Sequence, residues 1–580
     1  MKKYFNYKAA IVTAFIAVLV AVSCKDSFLD IQPVGQLAEA QLSTKAGLEG
    51  LLIASYTMLT GNGYSRLGSS SNWVYGSITG GDANKGTNAG DYTAINPIQR
   101  YESVATIGDI HDTYRPKYEG IARANNVLRL LKKNAPADVS AADQLRMSGE
   151  ARFLRGHFYF ELKKIFNNTP YVDESTDEST AATLGNDADL WPKIEADLKF
   201  AYDNLPETQS SAGRANKWAA GAYLAKAYLF QKKYAEAKTI FDAVIANGKT
   251  TNGKKYALVP KYAEVFNAAN DNHSESIFAI QSAANTGSTN NTNWWDDLNY
   301  PYGTGKDGPG DCCGFFQPSF ELGNSFRTTA AGLPLLDGSY NTGANQLKTD
   351  QGVAAASPFV PDAGTVDPRL DHSIGRRGIP YLDWKDHPGF AWIRDQSYGG
   401  PYSPKKFVYY KSQEGTLQDG SSWTRGYAAM NYCIIRFADV LLMAAECEIE
   451  VGSLEKAREY TNMIRTRAAN PAGFVVRAGA VPAANYVITN YLTPFTDKAA
   501  ARTAVRFERK LELSGEGHRF FDLVRWGVAA NDVTAYLAYE SKFLSTALGG
   551  ATFTAKALYQ PIPQGQIDLH KGALKQNPGY

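Results

Sequence analysis

Three stretches of the 580-residue chain set flat aromatic rings among amides and carboxylates. The first is Asn72-Trp73-Val74-Tyr75, followed by Asp82, Asn84 and Lys85. The second is Asn293-Trp294-Trp295-Asp296-Asp297, followed by Asn299-Tyr300 and Tyr302. The third is Asp311-Cys312-Cys313-Gly314-Phe315-Phe316. A pyranose stacks its CH-rich face on such rings and needs amides, carboxylates or guanidinium groups for its hydroxyls. The candidate ligand-binding residues are therefore Asn72, Trp73, Tyr75, Asp82, Trp294, Trp295, Asp296, Tyr300 and Phe315. Any of these rings could instead pack beneath its own loop, and the Trp294-Trp295 pair is expected to offer at least one indole to the ligand. Adjacent Cys312 and Cys313 could join only as a vicinal disulfide, which would stiffen the third loop.

Other chemistries find no support in the spacing. Gly303-Thr304-Gly305-Lys306-Asp307-Gly308 satisfies GxGxxG, but Tyr-Pro-Tyr precedes it and Pro-Gly follows, so it is a loop and not a strand-to-helix phosphate turn. Asn247-Gly248-Lys249-Thr250 ends like a P-loop, yet Ala243 stands where the first glycine must be. GxSxG and HExxH are absent, and the seven histidines have no metal-ligand spacing. Asp82-Ala83-Asn84-Lys85-Gly86 lacks the fifth-position ligand and the downstream Glu of a calcium loop. A glycosidase carboxylate pair could be picked only by geometry. The expectation is a non-catalytic chain without metal or cofactor.

These loops need a scaffold, and helical periodicity supplies one at about 43–60, 114–134, 143–166, 189–204, 215–247, 436–468 and 499–526. Ala225 to Ala237 and Ala445 to Ala457 share one spacing across a turn, as in the paired helices of tetratricopeptide repeats. Residues 61–113 and about 250–435 are instead rich in Gly, Pro, Asn, Ser and aromatics, and are expected to cover one face of the helices. Lys and Arg total 60 against 58 Asp and Glu, so no bulk charge steers the chain to nucleic acid. Hydrophobic content is 44%, and the remaining cysteines, Cys433 and the apolar-helix Cys447, do not form a disulfide scaffold.

Residues 1–23 have the basic start and short apolar run of a secretory leader. Ala21-Val22-Ser23-Cys24 resembles the lipobox of bacterial lipoproteins, without the usual Leu three places before the Cys. That resemblance implies lipidation of Cys24 and a tether over 24–42, which anchors firmly only with several acyl chains.

The C-terminal half carries a wider resemblance. Its motifs are Arg436-Phe437-Ala438-Asp439-Val440-Leu441-Leu442-Met443-Ala444-Ala445-Glu446, Phe507-Glu508-Arg509-Lys510-Leu511-Glu512-Leu513, Glu516-Gly517-His518-Arg519 and Asp522-Leu523-Val524-Arg525-Trp526-Gly527. The chain closes on Pro561-Ile562-Pro563 and Gln576-Asn577-Pro578-Gly579-Tyr580. Upstream stand Tyr118-Glu119-Gly120-Ile121, Asn125-Asn126-Val127-Leu128, Glu150-Ala151-Arg152-Phe153-Leu154-Arg155-Gly156 and Asp367-Pro368-Arg369-Leu370. In content and order these resemble the SusD/RagB family over nearly the whole chain behind Cys24. The resemblance implies a mainly α fold, an α-helical solenoid of tetratricopeptide-like helix pairs with a long irregular, loop-rich ligand-binding face. Residues 43–249, with the 61–113 insertion, and 250–580 would form one continuous unit. It further implies an outer-membrane lipoprotein facing outward that captures glycans, or peptides in a few cases, as a lid on a SusC-like TonB-dependent transporter. A surface glycoside hydrolase is the remaining alternative. Glu508-Arg509, Glu512, Arg519 and Asp522 recur at spacings suited to ion pairing and read as a charge network that fixes the last helices, not as catalytic acids.

Overall fold

The computed structural model describes residues 42–133, 137–177 and 179–580, so Cys24 and the leader lie outside the described residues. Helices dominate. In chain order the longer ones are α1 (Lys45–Thr57), α2 (Gly108–Lys133), α3 (Ala141–Phe166), α4 (Trp191–Asn204), α5 (Lys217–Phe230) and α6 (Tyr234–Asn247). After a long interval follow α7 (Phe437–Val451), α8 (Leu454–Ala468), α9 (Lys498–Glu512), α10 (Arg519–Trp526) and α11 (Ala529–Glu540). Side-chain caps start many of them: Thr44 accepts from the Gly47 amide, Ser140 from Asp143, Asn216 from Ala219 and Asp497 from Ala500.

Each helix from α1 to α6 packs on the next, α6 packs on α7, and α7 packs on both α8 and α9. The contact between α6 and α7 joins segments almost two hundred positions apart, so the intervening chain must leave the helical layer and return. Small residues set the spacing between helices. Ala225, Ala237, Ala445 and Ala457 are all fully buried. A Cβ on Gly120 of α2 would meet the Phe158 ring of α3 at 2.3 Å. The periodic segments and the observed helices agree closely, with three differences, the first being that α11 lies beyond the segments read from sequence. Helix α2 begins at Gly108, ahead of the expected start near 114, and runs unbroken through Pro116, whose missing N–H disfavours a helix interior. The 499–526 segment divides because Gly515 and Gly517 take φ of +73° and +72°.

Four short strands tie the irregular chain to the helices: β1 (Ala83–Gly86), β2 (Ser276–Ile280), β3 (Phe315–Pro318) and β4 (Tyr432–Arg436). Strands β1 and β3 pair antiparallel, with Ala83 opposite Pro318 and Gly86 opposite Phe315. Strands β2 and β4 pair likewise, placing Arg436 opposite Ser276 at the entrance to α7.

Arg436 is 1% exposed and meets three carboxylates: Glu275 at 2.6 Å, Glu512 at 2.7 Å and Glu516 at 2.6 Å. Arg369 reaches Glu508 at 2.7 Å and Glu512 at 3.0 Å, and Arg465 takes the other Glu508 oxygen at 2.9 Å. A second buried cluster joins Arg509 to Asp439 at 2.8 Å and Asp522 at 3.0 Å, with Arg525 on Glu446 at 2.6 Å. Burial alone would raise the Glu512 carboxyl, but Arg467, Arg436 and Arg369 hold it well below the usual carboxylate range. Arg519 stands apart from both clusters and pairs with Asp532 at 3.3 Å. A buried ion pair adds little net stability when complete, yet losing one partner strands a desolvated charge. Arg436→Met is therefore expected to destabilise the protein by about 3–5 kcal/mol at neutral pH. Urea denaturation would check this, and the loss should shrink in acid, where the stranded carboxylates can protonate.

Candidate ligand-binding face

The three aromatic loops converge. The first enters through Asn72, which sits at φ +52° and opens a π-helical turn over Trp73–Ile78. Its amide nitrogen donates to the Ser70 carbonyl and to Glu161 Oε2, both at 2.9 Å. This turn rests on the Gly515–Gly517 turn at close range. A Cβ on Gly76 would lie 1.9 Å from the Gly517 carbonyl oxygen, so neither backbone could come so near with a side chain at that point. The Gly517 amide donates to Ser77 Oγ and the Gly515 amide to Asp82 Oδ2, each at 2.9 Å. Tyr432 OH donates at 2.8 Å to the Ser71 carbonyl and lies 2.6 Å from that of Glu516.

The second and third loops are laced together by the Cys313 and Phe315 amides, which donate to the Leu298 carbonyl, and the Gly314 amide, which donates to that of Tyr300. Cys312 and Cys313 are bonded to each other. Strand β3 then brings Phe315 and Phe316 edge-on to Trp73, with ring centroids 6.4 and 6.3 Å away. A fourth loop completes the face. Thr424 Oγ1 donates to the Gly310 carbonyl at 3.2 Å, and the Asn293 amide donates to the Ala428 carbonyl at 3.0 Å.

The residues singled out from sequence fall into different settings. Trp73, Asp82 and Asp296, together with Ser71, Asn299 and Phe316, line one small cavity of about 30 Å³. Ser71 Oγ, Trp73 Nε1, Asp82 Oδ1 and Asn299 Oδ1 find no hydrogen-bond partner among the described residues. Such a lining suits a water molecule or a ligand hydroxyl at the cavity mouth, where Phe316 and Phe407 are half-buried. Burial pushes Asp82 up to about 6, against the Gly515 amide that would lower it. Burial pushes Asp296 up to about 8, Asn299 opposing and the Asp297 charge adding.

Tyr75, Trp295, Tyr300 and Phe315 are each at most 2% exposed and pack in the core beneath the loops. Thr113 donates to Tyr75 OH, and Tyr300 lies 5.6 Å from the Tyr409 ring. Trp294 remains half-buried in a 3-10 turn, its ring 5.8 Å from the Arg66 guanidinium. Arg66 is itself clamped by Asp297, at 2.6 and 2.8 Å to the two carboxylate oxygens. Trp423, which sequence reasoning did not single out, is 59% exposed on the fourth loop. Its only signal was an aromatic between polar residues, Ser421-Ser422-Trp423-Thr424-Arg425. Half-buried Tyr302, with Arg394 5.0 Å from its ring, adds a further aromatic to the face. Among the described residues no group of three or more His, Cys, Asp or Glu could hold a metal ion, and no helix is long and apolar enough to cross a membrane.

Comparison with known proteins matches residues 274–580 to the profile described as "SusD family" and residues 28–229 to "Starch-binding associating with outer membrane". A curated relative, SusD-like protein P25 of Formosa agariphila, is 25% identical over 96% of this chain and 97% of its own. A SusD superfamily protein from Bacteroides vulgatus superposes with a TM-score of 0.67 at 21% identity, over 93% of this chain and 99% of that one. Surface glycan-binding protein A from Bacteroides thetaiotaomicron, solved in complex with laminarihexaose, gives 0.64 at 20% identity, over 92% and 99%. At these identities the structural likeness is one of fold.

The raised acid at Asp82 has a sign that can be checked. A buried acid of raised pKa stabilises the fold fully below its unfolded value of about 4, and that contribution is lost as pH climbs through its folded value. With Asp82 folded at about 6, the loss amounts to about 3 kcal/mol by neutral pH. Asp82→Asn keeps the acceptor for the Gly515 amide and removes the charge. It is expected to gain stability relative to the parent as pH rises from acid to neutral, measured by thermal melting across pH. The opposite trend would mean that Asp82 is ionised throughout.

Proposed function

The chain belongs to the SusD family, and we propose that it captures oligo- or polysaccharide at the cell surface and delivers it to a SusC-like TonB-dependent transporter without catalysis. The observation that carries this reading is the convergence of four loops on one face, with half-buried Trp294 and exposed Trp423 beside fixed polar groups. Flat indoles suit the CH faces of sugar rings, and side-chain amides and carboxylates suit their hydroxyls. A shallow face covers one side of an oligosaccharide, so modest affinity follows. The name of the Bacteroides thetaiotaomicron glycan-binding protein and its laminarihexaose complex point the same way.

The finer parts of the reading rest on family resemblance. They are a lipid anchor at Cys24 behind a cleaved leader, an outward-facing position at the outer membrane, and action as a lid. To them belong a tetratricopeptide-like solenoid for the stacked helix pairs, and one continuous unit for residues 43–249 and 250–580. Within the face, Trp73, Asp82, Trp294 and Asp296 are the sequence-derived residues nearest to ligand. Asn72 positions Trp73, while Tyr75, Trp295, Tyr300 and Phe315 support the rings from beneath. The Cys312–Cys313 bond limits the freedom of the third loop.

Calorimetric titration of the full-length protein in detergent against a panel of glycans and peptides tests the proposal. Saturable binding to one glycan class is expected, weakened about tenfold by Trp294→Ala or Trp423→Ala, with no release of reducing ends. Binding confined to peptides would replace glycan capture by peptide capture, and release of reducing ends would make the protein a hydrolase.

A further inference from the structure

Behind the Trp73 loop, helices α9, α10 and α11 together with Gly80 and Glu321 line a cavity of about 420 Å³. Tyr340, Arg506, Phe507, Lys510, Arg519 and Trp526 contribute to its lining. Most of the charges there are matched. Lys510 pairs with Glu321 at 2.5 Å, and Arg519 with Asp532 at 3.3 Å. Of the arginines nearby, Arg502 is held by both oxygens of Glu450, at 2.6 and 2.8 Å, and Arg525 by both oxygens of Glu446.

Arg506 is the exception. Its guanidinium lies 4.8 Å over the Trp526 ring, and among the described residues it makes no hydrogen bond or ion pair. The nearby carboxylate, Glu446, already accepts two Arg525 nitrogens and Trp526 Nε1, at 2.6 to 2.8 Å. Burial lowers the Arg506 pKa, Glu446 offsets part of that, and the charges of Arg525 and Arg502 lower it further. A half-buried guanidinium without an ion-pair partner is costly to keep and is well shaped to take a planar or tetrahedral anion through paired N–H donors. Beside it, the Tyr340 and Phe507 rings stand 5.7 Å apart, tilted by 57°, and both are half-exposed. They offer apolar walls to the ring that carries such an anion.

We propose that this pocket is an anion subsite that takes the carboxylate or sulfate of an acidic sugar ring, with Arg506 as its charge partner and Arg519 as a second donor. The inference rests on the reading of the protein as a glycan binder, and places its acidic-sugar contact in a cavity with a different lining from the one that holds Trp73, Asp82 and Asp296. Uronate and sulfate share the anionic chemistry, and the probes separate them.

Full-length protein in detergent would be titrated with tetragalacturonate, with a κ-carrageenan tetrasaccharide and with neutral cellotetraose. One of the two anionic probes is expected to bind, more weakly at high salt. Arg506→Gln should weaken that binding about tenfold or more, and Arg506→Lys should restore part of it. Because Arg506 makes no hydrogen bond or ion pair and loses only its stacking on Trp526, a small contribution, the variant should melt within a few degrees of the parent. Failure of both anionic probes, or undiminished binding by Arg506→Gln, would overturn the subsite. Loss in Trp294→Ala with retention in Arg506→Gln would also overturn it, by putting the acidic sugar on the loop face and leaving glycan capture in place.

Discussion

The fold turns on one buried guanidinium. Arg436 stands where β4 ends and α7 begins, and it gathers Glu275 from the edge of β2, Glu512 from the end of α9 and Glu516 from the turn beyond. These four residues come from three separate parts of the sequence, yet their charges are satisfied only together. Arg436 Nη2 also donates at 2.8 Å to the Glu512 carbonyl, so the group closes the end of α9 as well as neutralising its side chain. With the charges desolvated, a half-formed arrangement costs more than either a complete one or none. The cluster therefore makes the last helices and the returning strand a single decision.

From that cluster the constraint passes outward to the loops. Glu516 lies between Gly515 and Gly517, whose amides hold Asp82 and Ser77 and whose bare backbone admits the turn that carries Trp73. Thus a motif on the C-terminal helices has its consequence on a loop more than four hundred residues away in sequence. Ligand contacts commonly come from loops on a rigid support. Here the support is electrostatic and steric together: an arginine that fixes a glutamate, and two glycines that let a loop rest directly on backbone.

The helices were legible because periodicity is a local signal. Ala225, Ala237, Ala445 and Ala457 announced close helix pairs, and the burial of all four bears this out. Spacing marked Glu508-Arg509, Glu512, Arg519 and Asp522 as a charge network, but of these only Arg509 and Asp522 pair with each other. Glu508 and Glu512 pair with Arg369, Arg436 and Arg465, and Arg519 with Asp532, partners that local spacing does not encode. The aromatic loops were recognised as a set, and they do meet. Which ring faces outward was not legible: Trp294 and Trp295 are neighbours of identical chemistry, and one is half-buried while the other is 1% exposed. A 3-10 turn decides between them, and nothing in the two letters encodes its orientation. Trp423 was passed over because a single indole in a polar loop carries no pattern.

The treatment of charge separates the two places where a ligand could rest. On the loop face the guanidinium groups are engaged: Arg66 with Asp297 at 2.6 Å, Arg394 with Asp91 at 2.6 Å and Arg425 with Glu414 at 3.2 Å. Their charge is spent on holding loops in place, and what remains for a ligand is ring faces, amides and carboxyls that burial favours in the neutral form. That is a surface for hydroxyls. In the cavity beside α9, lined also by Glu321, Asp337 and Asp532, Arg506 is the cation that makes no hydrogen bond or ion pair among the described residues, and it lies over the Trp526 ring. An uncompensated cation in a half-dry pocket discriminates by charge before it discriminates by shape. A neutral sugar gains little there, and an acidic one gains both a counter-charge and an apolar wall.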